Sequence, residues 1–190
     1  MPKVRQLKPA SSDQILEAAD RVFTKYGYGE TSLRQLMSEA GMSPTAFYAR
    51  YRSKQMVLEA LVGRLLAHVF TVASSTFASS RDLDESFDAT AQALVLAFSS
   101  QKTVVRLAIT EAAVLPTLRR TLHGAYMALA QLVASYLAKR RVPKAETAGW
   151  AMIGAIYIQL MRWAVFEEID DAELADELRT TARLLRTTVP

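Results

Sequence analysis

The sequence predicts an all-α protein of about nine helices: a three-helix N-terminal head holding a helix-turn-helix, then a longer helical body. Three observations predict it. Apolar residues recur at helical spacing along almost the whole chain, and no alternating run is long enough to argue for a sheet. The seven Gly and six Pro fall mostly near apparent segment ends, which leaves room for long uninterrupted helices. With 51% hydrophobic residues in a chain of 190, there is enough apolar surface to build a sizeable core.

The first helix runs from about Ser12 to Tyr26. Ser11 followed by Gln14 resembles a capping box, in which two side chains satisfy free N–H groups at a helix start. Ile15, Ala18, Ala19, Val22, Phe23 and Tyr26 fall on one face, and Gly27 ends the helix. The second helix begins at Thr31 or Ser32, with Gln35 three residues after Ser32. Leu33, Leu36, Met37 and Ala40 form its apolar side, and Gly41 stops it. The third is short. Ser43 is a good N-cap, and Pro44 suits the first helical position, where its missing N–H costs nothing. It lasts about two turns, to Arg50 or Tyr51. A fourth helix starts near Ser53 and runs to the serine-rich part at 74–80. Later helices span approximately 83–99, 102–114, 116–140, 143–167 and 171–187. Pro116 and Pro143 sit near two of the starts, and Asp170 with Glu173 gives another capping pattern.

The formal charge of +4 belongs entirely to the first quarter of the chain. Residues 1–54 hold nine Lys or Arg against five acids, while the remaining 14 basic and 14 acidic residues cancel. A basic end on a neutral body suits a polyanion partner for that end. The absence of Cys excludes disulfides, thiolate metal sites and a cysteine nucleophile, and suits a reducing interior. MPKVRQLKPASS has no apolar core, so no secretory signal is expected and the expected location is cytoplasmic. The apolar run WAMIGAIYIQLMRWAVF, 150–166, reaches only the lower edge of the roughly 17–25 residues that a membrane span needs. Gln159 and Arg162 interrupt it, so a buried helix at a protein–protein interface explains it better than a membrane does.

Helices two and three, joined by the tight turn at Gly41, form a helix-turn-helix whose short second helix can enter a major groove. Residues 42–54 carry three aromatics and three basic residues and no acid. Ala46, Phe47 and Tyr51 read as packing inward, which leaves Thr45, Tyr48, Ala49 and Arg50 outward. Hydroxyls can reach phosphates or base edges, and Ala and Thr methyls can touch thymine methyls. Lys54 lies at a helix start, where free N–H groups favour an anion; it serves either a phosphate or the helix itself as a cap. Thr31 and Ser32 offer the same two choices at the start of helix two. Lys3, Arg5 and Lys8 form either a minor-groove arm or a basic tail.

The segment ILEAADRVFTKYGYGETSLRQLMSEAGMSPTAFYARYRSKQMVLEAL, 15–61, resembles the N-terminal DNA-binding region of the TetR family of bacterial transcriptional regulators. The likeness includes the helix-one face, Gly27-Tyr28, Thr31-Ser32, the turn Ala40-Gly41-Met42-Ser43, Phe47-Tyr48, Tyr51 and Ser53-Lys54. It implies an all-helical homodimer that sets two recognition helices in successive major grooves of double-stranded operator DNA. Carried over by position, Thr31, Tyr48 and Lys54 contact phosphates, while Ser43, Pro44, Thr45 and Ala46 lie at or near the groove. Ser32, Arg34 and Arg50 complete the expected DNA-facing set. The chain departs from the family at Thr45, where many members carry Gly, at Arg50, where His or Tyr is frequent, and at Tyr51, where Phe is frequent. The expected division is a DNA-binding domain at 1–54 and a ligand-binding and dimerisation domain at 55–190.

The body resembles the family loosely, chiefly through ITEAAVLPTLRRTL, 109–122, which is similar to one branch's Glu-Ala-x-x-x-Pro pattern. The resemblance implies a small-molecule pocket and a dimer interface made by the last two helices. The 145–166 helix is too apolar all round for a lone surface helix, which agrees with an interface or with burial in a monomer core. Met152, Ile156, Leu160, Met161 and Trp163 are the interface candidates there, with Leu174, Leu178 and Leu185 from the last helix. Phe98, His123, Tyr126, Met127, Trp150 and Tyr157 are candidates to line a mostly apolar pocket. Glu111 either pairs with a base such as Arg106 or recognises a polar ligand group. His68 and His123 have no metal-ligand spacing around them, and no phosphate loop or nucleophile elbow occurs, so neither an enzyme, a metal nor a cofactor is expected. The expected function is a ligand-responsive regulator, a repressor released from its operator by a small, largely apolar effector. A helical hydrophobic-ligand carrier or a small enzyme without specific DNA binding is the alternative.

Overall fold

The computed structural model describes residues 12–79 and 82–187, the side chains of 182 and 185–187 aside. The Ser11 capping box, the arm residues Lys3, Arg5 and Lys8, and the Leu185 side chain lie outside the described residues. Among the described residues the chain forms nine helices and no strand. It divides into two compact units, Met1–Gly63 and Arg64–Pro190.

In the first unit α1 spans Ser12–Glu30, but its regular path breaks at Gly27, whose φ of 76° and ψ of 164° are not helical. The glycine therefore interrupts the helix where the sequence predicts, and the chain resumes helical hydrogen bonding for one short turn. α2 (Leu33–Glu39) starts with a complete capping box: the Ser32 side chain accepts from the Gln35 N–H, and the Gln35 side chain accepts from the Ser32 N–H at 2.7 Å. It ends in a Schellman turn. The Gly41 N–H donates to the Ser38 carbonyl at 3.1 Å and the Met42 N–H to the Met37 carbonyl at 2.9 Å. This closure holds Gly41 at φ 62°, a left-handed conformation that strains a residue bearing Cβ. α3 (Pro44–Tyr48) carries the expected Ser43 N-cap and first-position proline, and is shorter than predicted.

The core of this unit comprises Ile15, Ala18, Ala19, Val22 and Phe23 from α1, Leu36 from α2, and Phe47 from α3. Val57 and Leu58, in the first turns of α4 (Lys54–Ser79), are also fully buried. These residues explain why the unit extends to Gly63 and not to the boundary expected at Lys54: the start of α4 is part of the head's core.

The second unit contains the rest of α4, then α5 (Leu83–Ser99), α6 (Lys102–Glu111), α7 (Pro116–Lys139), α8 (Ala145–Ala164) and α9 (Asp171–Thr187). α5 starts with Asp82 as its N-cap, accepting from the N–H groups of Asp84 and Glu85. α9 starts with the capping box expected at Asp170 and Glu173. α7 and α8 form the most extensive helix pair, followed by α5 with α9 and α8 with α9. Their approach is set by Gly149. A Cβ at that position would lie 2.6 Å from the Ala130 carbonyl oxygen and 3.3 Å from the Ala134 Cβ, so only a glycine allows the two backbones to come so close.

α8 and α9 are tied by specific bonds. The fully buried Trp163 donates from Nε1 to Asp171 at 2.7 Å. Arg162 reaches Glu177 at 3.0 Å and Glu168 at 3.2 Å, and these two carboxylates push its pKa up. Among the described residues only α4 is by itself long and apolar enough to cross a membrane, a property it shares with core helices.

Candidate nucleic-acid surface and apolar cavity

The short α3 stands because Phe47 is wholly buried, with its ring 6.1 Å from Tyr48 and 6.2 Å from Tyr51. Tyr51 is itself buried, and its hydroxyl lies 3.0 Å from the Ser12 hydroxyl on α1. With Phe47 and Tyr51 inward, Pro44, Thr45, Tyr48, Ala49 and Arg50 are exposed, as the two-faced reading of the stretch requires. Ala46 is half-buried, and Arg34 and Arg52 are exposed. Arg52 lies in the loop before α4 and adds a cation that sequence reasoning did not assign to the surface. Its signal was present: it lies within the same acid-free stretch as Arg50.

Four expected DNA contacts have other partners. The Lys54 ammonium donates to the carbonyls of Tyr28 at 2.8 Å, Gly29 at 2.8 Å and Thr31 at 3.0 Å, and lies 4.8 Å from the Tyr28 ring centre. An ammonium has three protons, so all of its donors are engaged in holding the α1–α2 turn against the start of α4. Lys54 caps carbonyls here and does not offer a free charge to a phosphate. Thr31 is buried, and its hydroxyl donates to the Gly27 carbonyl at 2.6 Å, which removes it from the surface. Ser32 and Ser43 are exposed, but their hydroxyls are engaged in helix caps. The exposed Arg21–Glu39 pair, at 2.7 Å, links α1 to α2.

The second unit holds a partly open cavity of ≈110 Å³. At roughly 10–15 Å³ for a water-sized group, it holds on the order of ten such groups. The lining runs from Leu65 to Phe77 on α4 and from Leu122 to Val133 on α7. At 1.5 Å per residue these stretches are roughly 18 and 16 Å long, so the cavity is a slot lying along the helices. α5, α6, α8 and α9 close its remaining sides.

No charged side chain lies on the wall, and its polar residues are Thr90, Tyr126, Tyr157 and Thr181. Thr90 is engaged: its hydroxyl is 2.6 Å from the Ser86 carbonyl oxygen and 2.6 Å from the Thr76 hydroxyl. Tyr126 and Tyr157 meet edge to face with ring centres 5.8 Å apart. Burial, with a smaller contribution from Tyr157, pushes the Tyr126 hydroxyl up to about 12.

Of the expected pocket residues, Phe98, Tyr126 and Tyr157 line the cavity. His123, Met127 and Trp150 are exposed, and Glu111 is not on the wall. The reason is helical phase. Leu122, Tyr126, Leu129 and Val133 share the inward face of α7, which turns His123 and Met127 outward. On α8 the wall is made by Met152, Ile153, Ile156, Tyr157 and Leu160, and Trp150, one turn before Ile153, lies at the edge of this side and is exposed. Arg106 lies 3.6 Å from Glu167, so the expected pairing with Glu111 is replaced by that contact.

The interface expectation needs the same correction. Trp163 and Leu174 are fully buried, and Met152 and Leu178 nearly so, within their own unit, so they present no surface to a partner. Ile156 and Leu160 line the cavity, and Met161 is half-buried. The outward face of α8 instead carries Thr147, Trp150, Ala151, Gly154 and Ile158, with Ile158 53% exposed.

The family described as "Bacterial regulatory proteins, tetR family" matches residues 15–61. No curated protein matches the sequence. Among solved structures, a Syntrophomonas wolfei protein assigned to the TetR-family transcriptional regulators is similar with a TM-score of 0.80 at 18% identity, covering 94% of this chain and 96% of that one. The Bacillus subtilis transcriptional regulator FadR, in complex with stearoyl-CoA, is similar with a TM-score of 0.79 at 14% identity, covering 95% and 100%. Thermus thermophilus FadR, a TetR-family repressor in complex with lauroyl-CoA, gives 0.67 at 23% identity, covering 92% and 93%.

Proposed function

We propose that this chain, a TetR-family protein by its segment 15–61 and by the fold of its neighbours, is a ligand-responsive transcriptional regulator: a repressor released from operator DNA by a small, largely apolar effector. The observation that carries the proposal is a fully supported recognition helix with an exposed, acid-free face in a chain that also holds a charge-free apolar slot. Thr45, Tyr48, Arg50 and Arg52, with Arg34, form the DNA-facing surface in this reading. Arg50 and Arg52 supply phosphate contacts, and Thr45 reads bases or a thymine methyl. Lys54 and Thr31 act behind that surface, fixing the turn that holds α2.

The effector is an elongated hydrophobic molecule, such as an acyl chain. The length and lining of the slot support this, and two neighbours of the same fold are found with lauroyl-CoA and stearoyl-CoA. The link from effector to DNA is α4. One helix supplies Val57 and Leu58 to the head's core and Leu65, Val69, Ala73 and Phe77 to the slot. An effector that favours one position of the α4 wall therefore acts on the head through continuous backbone. A hundredfold loss of operator affinity needs about 2.7 kcal/mol of such coupling.

The chain acts in the cytoplasm as a homodimer through the outward faces of α8 and α9, Trp150, Ala151, Gly154 and Ile158 among them. Two heads then meet half-sites about 34–36 Å apart. The test is fluorescence anisotropy at physiological salt with the promoter DNA beside the protein's own gene and with random DNA. Tighter binding to the promoter is expected, relieved by lauroyl-CoA. Equal binding to both DNAs overturns the proposal of a locally acting repressor.

A further inference from the structure

Two phenol hydroxyls on a mostly hydrocarbon wall restrict what the slot can hold. Among the described residues neither the Tyr126 nor the Tyr157 hydroxyl has a hydrogen-bond partner, although the two rings fix each other edge to face. Both tyrosines are half-buried, and a phenol donor on an apolar wall is normally satisfied by protein, water or ligand. Thr90 is already engaged, which leaves this pair and Thr181 as the polar features of the wall. No Lys, Arg or His lines the slot, so an ionised carboxylate placed inside would have no counter-charge.

We propose that the effector carries an uncharged oxygen acceptor, a ketone, aldehyde, ester or thioester carbonyl, within its hydrophobic chain, and that the Tyr126 and Tyr157 hydroxyls donate to that oxygen. This rests on the reading of the slot as the effector site. Tyr126 stands four residues from Leu122 and seven from Val133 along α7, roughly 6 and 10 Å. The acceptor therefore lies closer to one end of the ligand, with the longer apolar arm toward Val133. Burial keeps Tyr126 protonated across the physiological range, so it remains a donor. A free fatty acid that places its ionised head at the tyrosines is excluded. A molecule whose acidic part stays outside while a neutral carbonyl reaches the pair is accepted.

Titration calorimetry with 2-octanone and with octanoate at pH 8, and melting shifts with n-octane supplied through the vapour, test the assignment on the whole chain. The ketone should bind wild type at least tenfold more tightly than octanoate. Tyr126→Phe should weaken the ketone about five-fold, the double variant with Tyr157→Phe further, and both should leave the n-octane shift unchanged. Ketone affinity unchanged in both variants, or octanoate binding as tightly as the ketone, overturns the assignment while leaving the slot as an effector site. Absence of any binding by n-octane and 2-octanone to wild type overturns the effector-site reading and this inference with it.

Discussion

In the head, Lys54 directs all three ammonium protons to backbone carbonyls, Thr31 is sealed against Gly27, and Ser32 and Ser43 close helix caps. In the body, two tyrosines line a slot with no hydrogen-bond partner for their hydroxyls among the described residues. One region uses these polar groups to hold a small backbone motif in a single shape, and leaves few others exposed on the proposed DNA-facing surface. The other also ties α8 to α9 with polar bonds, but its slot is walled mostly by hydrocarbon and leaves two hydroxyls without a partner among the described residues. A five-residue recognition helix has too little surface to stabilise itself, so neighbouring polar bonds must fix it. A 24-residue helix such as α7 needs less such help.

The sharpest way to break this comparison is to remove the large anchor of α3. Phe47→Ala should destabilise the protein by about 3–5 kcal/mol in urea unfolding and abolish specific operator binding. A loss below about 1 kcal/mol would mean that polar bonds alone hold α3. On the body side, Ile158→Arg puts a charge into the proposed dimer face and should give monomers in sedimentation, with the slot still binding ligand. A variant that remains dimeric moves the interface elsewhere. Gly149→Ala should cost about 1–3 kcal/mol, because the added methyl meets the Ala130 carbonyl; an unchanged melting temperature would show that α7 and α8 can separate freely.

Two smaller effects separate holding groups from reading groups within the head. Lys54→Ala should lower stability by about 1–3 kcal/mol and leave the salt dependence of DNA binding unchanged, whereas Arg52→Ala should reduce the salt slope by roughly one. A slope that falls with Lys54→Ala would return that lysine to the phosphate contacts. Thr45→Gly should change the ranking of operator variants by about tenfold or less, and a uniform loss across variants would remove Thr45 from base reading.

The head was legible because its signals are specific to residue type. Ser32 with Gln35, Ser43 with Pro44, and Gly41 each have one good structural use, and each is found in it. What the sequence could not show was where the Lys54 ammonium ends, because the carbonyls that take it lie 23 to 26 residues away. α8 was not legible for the opposite reason. Its residues are apolar around the whole circumference, so periodicity does not distinguish a face toward the slot from one toward α9 or toward a partner. Aromatic and Met residues drew attention as pocket candidates, yet Trp150 and Met127 are exposed. The inward stripe of Leu122, Tyr126, Leu129 and Val133 was the better guide, since its spacing fixes a face whatever the side chains are.

Gly149 has a mechanical consequence for the slot. By locking α7 to α8 at Ala130 and Ala134, it turns the two helices that carry Tyr126 and Tyr157 into a stationary jaw. A close-packed wall of this kind passes strain on and does not absorb it. Molecules of different girth must then be accommodated by the opposing jaw, which includes α4. On the proposed reading, the thickness of a guest is taken up at the α4 side of the slot, as a calliper takes it up at its movable arm.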